Sequence, residues 1–300
     1  MMIPDLEELL ALRGAAHGLS LRGRKGSRAL LLGEHASAQR GRGLEFQEVR
    51  PYVAGDDPRN IDWRVTARRG RPHTKLFREE RERPVWLLVD LQPGLFFGTR
   101  RQLKSALVVR AAALLAWVAA LSGDRVGSVI VTGAREPRII AARARQAGVL
   151  PLLEGLLEAQ PRAPGQPAPL ALEDGLRALL PLVRPGSQIL ALSDFAGVRD
   201  EARSHWSALA AHSDTRLFWV TDPLEGEGLP NGRFRGGIPG RLSILDGARV
   251  RERWRQVWHE REARIAALSQ LNAAPTVRLD THESVTHVLR PLLRPRQSAA

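Results

Sequence analysis

The chain reads as an α/β protein: a mainly parallel sheet flanked by helices, preceded by an irregular or β-rich N-terminal extension. Three observations predict this. Val85-Trp86-Leu87-Leu88-Val89 is apolar throughout and ends on Asp90. Gln188 to Leu192 is a second, largely apolar run, ending in Ser193-Asp194. Around and after these runs, helix-length segments alternate with further short apolar runs. A strand that is apolar on both sides belongs in a sheet covered on both faces. Alternation with helices implies βαβ units. The sheet domain is expected over 85–295 and the extension over 1–84.

The elements follow in order. Residues 4–14 read as an amphipathic helix carrying Leu6, Leu9, Leu10 and Leu12. Residues 15–45 are rich in Gly and Arg and read as irregular. From Leu44 to Phe77 the chain is dense in turn signals: Pro51, Gly55-Asp56-Asp57-Pro58, Gly70 and Pro72. After the strand at 85–89 come a helix over 100–122, a strand from Val126 to Val131 and an edge strand from Arg138 to Ala141. A helix over 143–159 leads into a Pro-rich loop, Gln160 to Pro169, and a helix over 171–182. After the strand ending at Ser193-Asp194 come a helix over 199–212, a strand from Leu217 to Val220 and a late strand from Arg241 to Leu245. Arg249 to Leu271 forms a long helix with Val250, Trp254, Val257, Ile265 and Leu268 on its apolar face. A strand from Thr276 to Leu279 and a helix over 283–293 end the domain.

Composition excludes several chemistries. The 300 residues contain no cysteine, which removes disulfides, thiolate zinc, iron–sulfur clusters and cysteine nucleophiles. The net charge is +13, yet of 45 basic residues only Lys25, Lys75 and Lys104 are lysines. That arginine excess, with abundant Ala, Leu and Gly, reads as the signature of a GC-rich genome. The arginines are mixed with acids, as in Arg78-Glu79-Glu80-Arg81-Glu82-Arg83, so nucleic acid is not the expected partner. Asp5, Glu7 and Glu8 stand where a signal peptide needs a basic start. The most apolar window, Ala106 to Leu121, is interrupted by Arg110 and is shorter than the ~20 residues of a membrane span. It is expected to be a buried helix in a soluble, cytoplasmic protein.

Several catalytic signatures fail. Gly18 and Gly23 have P-loop spacing but are followed by Arg24-Lys25. Gly41-Arg42-Gly43 lacks the third glycine of a dinucleotide loop. His259-Glu260 lacks the second histidine of a zinc helix. His287 lies five residues after His282, on a different helix face. There is no Gly-x-Ser-x-Gly elbow.

One string is specific: Glu45-Phe46-Gln47-Glu48-Val49-Arg50-Pro51-Tyr52, then Gly55-Asp56-Asp57-Pro58-Arg59-Asn60-Ile61-Asp62-Trp63, then Ala67-Arg68, with the strand at 85–90 about twenty residues later. Over roughly residues 5–230 the chain closely resembles the bacterial domain-of-unknown-function family 58, whose members are built on a von Willebrand factor A-like, Rossmann-like domain. The resemblance implies that fold. It also implies partnership with a MoxR-type AAA+ ATPase, and a short form without the transmembrane helices that many members carry before the motif.

The resemblance further implies a metal-ion-dependent adhesion site, for which this sequence has a degenerate pattern. Such a site uses Asp-x-Ser-x-Ser after the first strand, a later threonine, and an aspartate after the fourth strand. Hard oxygen ligands of this kind suit Mg²⁺. Asp90 and Asp194 are present, but Gln92 and Gly94 hold the serine positions. The loop Ala163-Pro164-Gly165-Gln166-Pro167-Ala168-Pro169 has no hydroxyl. No metal or other cofactor is expected.

The upstream string has two readings. As architecture, Gly55-Asp56-Asp57-Pro58 is a turn, Arg59 pairs with Asp62, and Trp63 buries as an anchor. As a docking face, Trp, Tyr and Arg are the residues that dominate interface hot spots. Architecture is favoured for Asp62 and Trp63; for Arg50, Tyr52, Asp57 and Arg59 the two weigh equally, and Glu45, Phe46, Gly55, Asp56 and Arg68 complete the candidate surface. The expected function is a non-enzymatic interaction module, an adaptor or partner of the ATPase, presenting this motif and the top face near Asp90 to Gly98 and Asp194. The alternatives are a metal-dependent hydrolase using Asp90 and Asp194 and, behind it, nucleic-acid binding through the arginines.

Overall fold

The computed structural model describes residues 3–21, 44–54, 56–79, 83–134, 136–165, 171–198, 203–238 and 240–295. They fall into two compact units, residues 23–82 and the remainder of the chain. In chain order, α1 (Leu6–Ala16) and β1 (Leu19–Ser20) precede the small unit. That unit contains β2 (Leu44–Pro51), α2 (Trp63–Arg69) and β3 (His73–Glu79). The large unit resumes with β4 (Pro84–Asp90), α3 (Lys104–Leu121), β5 (Arg125–Val131), β6 (Arg138–Ala144), α4 (Gln146–Ala159) and α5 (Ala171–Leu179). Then come β7 (Ser187–Ser193), α6 (Arg203–His212), β8 (Ser213–Thr221), α7 (Pro223–Glu227), β9 (Arg233–Ile238) and β10 (Arg241–Asp246). The long helix α8 (Gly247–Leu271), β11 (Thr276–Asp280), α9 (Val285–Leu289) and β12 (Arg294–Pro295) follow.

The six-stranded sheet has the order β11-β8-β7-β4-β5-β6. Only the β5–β6 pair is antiparallel, so the edge strand expected at 138–141 is confirmed and longer. Counted within the sheet, the order is 6-5-4-1-2-3, that of a doubly wound fold. This is the mainly parallel α/β sheet the sequence predicts, and its order agrees with the von Willebrand factor A-like fold the resemblance implies. β4 and β7 are central and buried from Val85 to Asp90 and from Ser187 to Ser193, which is why they read as continuous apolar runs. Gly127 sits at a bulge in β5, where a Cβ would come within 2.7 Å of the Trp86 ring and 2.8 Å of Ala142 N.

Helices cover both faces. α3 is long and apolar enough to cross a membrane, but 89% of it is buried in the core of this unit. An Ala-rich helix that is apolar all round suits such a position. α8 is pinned by Trp258, stacked on Trp219 with ring centroids 5.0 Å apart. Its buried face is Trp258, Ile265 and Leu268, while Val257, expected on that face, is 44% exposed.

The boundary of the extension is corrected. Residues 1–22 belong with the sheet, not with an extension ending at 84. α1 is capped by Asp5, whose carboxylate accepts from Glu8 N; Leu9 is fully buried, and Trp117 Nε1 donates to Leu9 O at 3.0 Å. Arg110 in α3 also pairs with Glu8. Within the small unit, the β part of the extension is an antiparallel pair, β2–β3, with a bulge between Phe46 and Glu48, in the segment dense in turn signals. Most of the 15–45 segment read as irregular, from 22 to 43, lies outside the described residues.

Candidate functional site

In an open α/β sheet, ligands and partners meet the carboxyl ends of the strands where the strand order reverses. Here that point lies between β4 and β7. Four neighbouring strands each end in an acid: Asp90 after β4, Asp194 after β7, Asp222 after β8 and Asp280 on β11. All four are buried, and each is answered by a different partner.

Asp90 Oδ2 accepts from Ser193 Oγ at 2.6 Å, and Oδ1 accepts from Gln92 N at 3.1 Å. Ser193 Oγ in turn accepts from Phe195 N at 2.9 Å. No cation pairs with Asp90 among the described residues. Burial, and then the charge of Asp194, push its carboxyl up to about 6, against the lowering effect of the Ser193 and Gln92 hydrogen bonds.

Asp194 faces a cation. Lys104 Nζ lies 2.6 Å from Asp194 Oδ2 and 3.0 Å from Glu225 Oε1. Asp194 Oδ1 accepts from Ala196 N at 3.0 Å. Glu225 Oε1 also takes Arg261 Nη1 at 2.8 Å. Glu225 Oε2 accepts from Asp222 N at 2.9 Å, closing a capping box at the start of α7. Burial acts to raise Asp194, but Lys104 and then Arg261 outweigh it and hold the carboxyl below its ordinary value. Burial likewise acts to lower Lys104, and Asp194 and Glu225 outweigh it and raise the ammonium. Two acids and two bases thus form a balanced set in the interior.

Asp222 gathers Thr99 Oγ1 at 2.5 Å, Thr281 Oγ1 at 2.5 Å, Thr99 N at 2.8 Å and Leu224 N at 3.1 Å. Asp280 accepts from Thr221 Oγ1 at 3.1 Å and contacts His282 Nδ1 at 2.7 Å. The sequence reading singled out Asp90 and Asp194 but missed Asp222, Asp280 and Lys104. The readable signal was an acid closing four neighbouring strands, and a lone lysine opening an apolar helix in an arginine-rich chain.

The metal implied by the resemblance meets a poor donor set. Gln92 is buried and its Oε1, which has no donor among the described residues, is the one oxygen this position offers an ion. Gly94 supplies no side chain. Of the hydroxyl-free loop, residues 166–169 lie outside the described residues. Lys104 already occupies Asp194 Oδ2. No group of three or more acids, histidines or cysteines poised for a metal occurs among the described residues.

The motif lies in the small unit. Asp56 Oδ1 accepts from Arg50 Nη2 at 2.6 Å and Oδ2 from Val53 N at 3.0 Å. The bond from Val53 N acts most strongly on the Asp56 carboxyl; burial opposes it, and Arg50 adds to the lowering, so the carboxyl is held below its ordinary value. Asp57 caps a short 3₁₀ turn by accepting from Arg59 N at 3.0 Å. Arg59 pairs with Asp57, at 3.0 Å, and not with Asp62 as expected. Asp62 instead caps α2, accepting from Arg64 N at 3.0 Å and Val65 N at 3.1 Å, with Lys75 Nζ 3.5 Å away. An Asp with its side chain committed to two backbone amides is the preferred helix start. Tyr52 is half-buried, its N–H donating to Pro72 O at 2.9 Å. Trp63, expected to be buried, is 70% exposed: as the first residue of a seven-residue helix it projects from the cap. Arg64, Arg68 and Arg69 are exposed on the same helix. Glu45 and Phe46 belong to β2, pairing with Arg78 and Phe77; Gly55 lies outside the described residues.

A family model described as "Protein of unknown function DUF58" matches residues 48–261. Uncharacterized proteins Rv1480 of Mycobacterium tuberculosis and Mb1516 of Mycobacterium bovis are each 36% identical to this chain over 200 residues, which is 66% of this chain and 61% of theirs. The match therefore spans less than two thirds of those relatives. Among solved structures, BatB of Bacteroides thetaiotaomicron is 14% identical, covering 70% of this chain and 98% of that one, with a TM-score of 0.42. An aerotolerance-related membrane protein of Bacteroides fragilis is 13% identical, covering 69% and 97%, with a TM-score of 0.45.

Proposed function

The chain belongs to the family described as protein of unknown function DUF58, and from that premise we propose that it is a non-enzymatic interaction module, an adaptor or partner of a MoxR-type AAA+ ATPase working in the cytoplasm. The observation that carries this reading is Trp63, 70% exposed at the start of α2. Trp and Arg are the residues that dominate interface hot spots, and this indole stands on the same short helix as the exposed Arg64, Arg68 and Arg69. Asp62, Asp57 and Asp56 hold the surrounding backbone in place, so the aromatic is presented on an ordered frame.

The carboxyl edge of the sheet, in this reading, carries a degenerate adhesion site that works without metal. Its two acids are already engaged, Asp90 by Ser193 and Asp194 by Lys104, which leaves the hydrolase alternative without a free carboxylate pair. The long apolar helix is a core helix in this reading, not an anchor.

The test is a pull-down of the full chain with the MoxR-type ATPase of the same bacterium, with and without chelator, in each nucleotide state. The wild type is expected to form a complex that survives chelation, and Trp63→Ala to lose it while its melting temperature holds. No complex in any nucleotide state refutes the adaptor reading. A complex that Trp63→Ala retains in full moves the interface elsewhere.

A further inference from the structure

We propose that the Lys104 ammonium is a tethered cation at the carboxyl edge of the sheet, permanently engaging Asp194, one of the two carboxylates that the resemblance assigns to a divalent ion. This deepens the metal-independent reading above and rests on it only for that edge.

The placement is costly unless it serves a purpose. Lys104 is the first residue of α3, where the helix dipole opposes positive charge, and only 2% of it is exposed. A buried ammonium persists only when paired and hydrogen-bonded. Here it donates to Asp194 Oδ2 at 2.6 Å and Glu225 Oε1 at 3.0 Å, with the Phe97 ring 5.8 Å away. The two carboxylates come from different loops, one after β7 and one in α7, and Lys104 joins both to the start of α3. Bridging acids from separate loops through one compact charge is what a bound cation does in such a place.

The choice of lysine fits that role. The chain uses arginine for almost all its basic positions, with lysine at only 25, 75 and 104. A guanidinium is a planar fork; an ammonium is a small point charge with three donors. Only the latter resembles an ion between two carboxylates. Arg261 stands behind Glu225 at 2.8 Å, so the set is neutral with Lys104 in place and carries a net negative charge without it.

The experiment compares thermal melts of wild type, Lys104→Ala and Lys104→Met in chelator and in millimolar Mn²⁺, with calorimetry of Mn²⁺ binding to each. The ATPase is absent, so failure of the adaptor reading does not affect the outcome. Wild type is expected to melt at the same temperature in both buffers and to bind no Mn²⁺ at the edge. In chelator the variants are expected to melt lower by on the order of ten degrees. Mn²⁺ is then expected to recover part of that fall saturably, with the recovery lost when Asp194→Asn is added. Saturable Mn²⁺ binding by wild type that Asp194→Asn abolishes overturns the proposal, and so do folded Lys104 variants that gain no more from Mn²⁺ than wild type does. Should neither variant fold, the wild-type calorimetry decides: no binding supports the tethered cation, saturable binding at Asp194 refutes it.

Discussion

Asp90 and Asp194 end adjacent parallel strands, yet their carboxyls are driven in opposite directions. Burial and the neighbouring Asp194 push Asp90 up to about 6. Asp194, equally deep, is held below its ordinary value because Lys104 outweighs its burial. One strand end is a carboxylate with hydroxyl and amide partners; the next is half of an ion pair. The difference between them is a single ammonium.

This difference sets a pH dependence. For Asp90 the folded-state value lies above the ~3.9 of an unfolded aspartate. The folded state therefore holds the extra proton between about 4 and 6, and stability from this group falls as pH rises through that window. Asp90→Asn removes the titration while keeping an acceptor for Gln92 N and offering a donor to Ser193 Oγ. Relative to wild type, the variant is expected to gain up to about 3 kcal/mol above pH 6.5, and nothing below about pH 4. Melts across that range check it; a constant difference at all pH values counts against it.

Asp194→Asn should behave in the opposite sense. A depressed carboxyl contributes stability that is present above ~3.9 and is lost as pH falls through the folded value. Removing the charge leaves Lys104 buried with only Glu225, a loss of roughly 3–5 kcal/mol for breaking a buried pair. The loss is expected at pH 7 in chemical denaturation and should shrink in acid, where the wild type protonates too.

The N-terminal helix offers a test of unit boundaries. Leu9 is fully buried and its carbonyl receives Trp117 Nε1. Leu9→Ala is expected to cost about 2–5 kcal/mol in the main transition, and deletion of residues 1–16 at least as much. If residues 1–16 can be removed with no change in the melt, α1 is an appendage.

The strands were legible because burial on both faces leaves no polar alternation, and because an acid closes four of the runs, at Asp90, Asp194, Asp222 and Asp280. The small unit was less so. The apolar–polar alternation of β2 slips at the bulge between Phe46 and Glu48 and β3 has none, and the register is held by backbone pairing that composition does not signal. Trp63 was misjudged because an aromatic in a polar string reads as an anchor. What decides its exposure is that Asp62 uses its side chain to start the helix, leaving the next residue to project. Lys104 was invisible to spacing: its partners Asp194 and Glu225 lie 90 and 121 residues away, and a search for missing hydroxyls does not look for a substitute charge.

Close packing of α5 on the sheet gives a fourth prediction. A Cβ on Gly175 would come within 2.6 Å of Val131 Cγ2 and 3.0 Å of Leu88 Cδ1. Overpacking costs about 1–3 kcal/mol, while alanine regains up to about 1 in helix propensity. Gly175→Ala should therefore lose up to about 2 kcal/mol in urea titration. A gain in stability means that α5 stands off the sheet.

The last prediction separates the frame of the motif from what it displays. Asp62 accepts from the backbone amides of Arg64 and Val65 and lies 3.5 Å from Lys75 Nζ, so Asp62→Ala should cost about 0.5–2 kcal/mol as a lost cap. Amide exchange at Arg64, Val65 and Thr66 should quicken, because α2 has only seven residues and little else to hold its first turn. Trp63 next to it is 70% exposed, so Trp63→Ala should stay within about 0.5 kcal/mol of wild type and leave those amides protected. The two substitutions are one residue apart, and the expected contrast runs against residue size: the smaller side chain matters to folding and the larger does not. Exchange by mass spectrometry and a thermal melt read both. A Trp63→Ala loss of about 3–5 kcal/mol, the range for a buried tryptophan, would return Trp63 to the core and remove the docking surface with it.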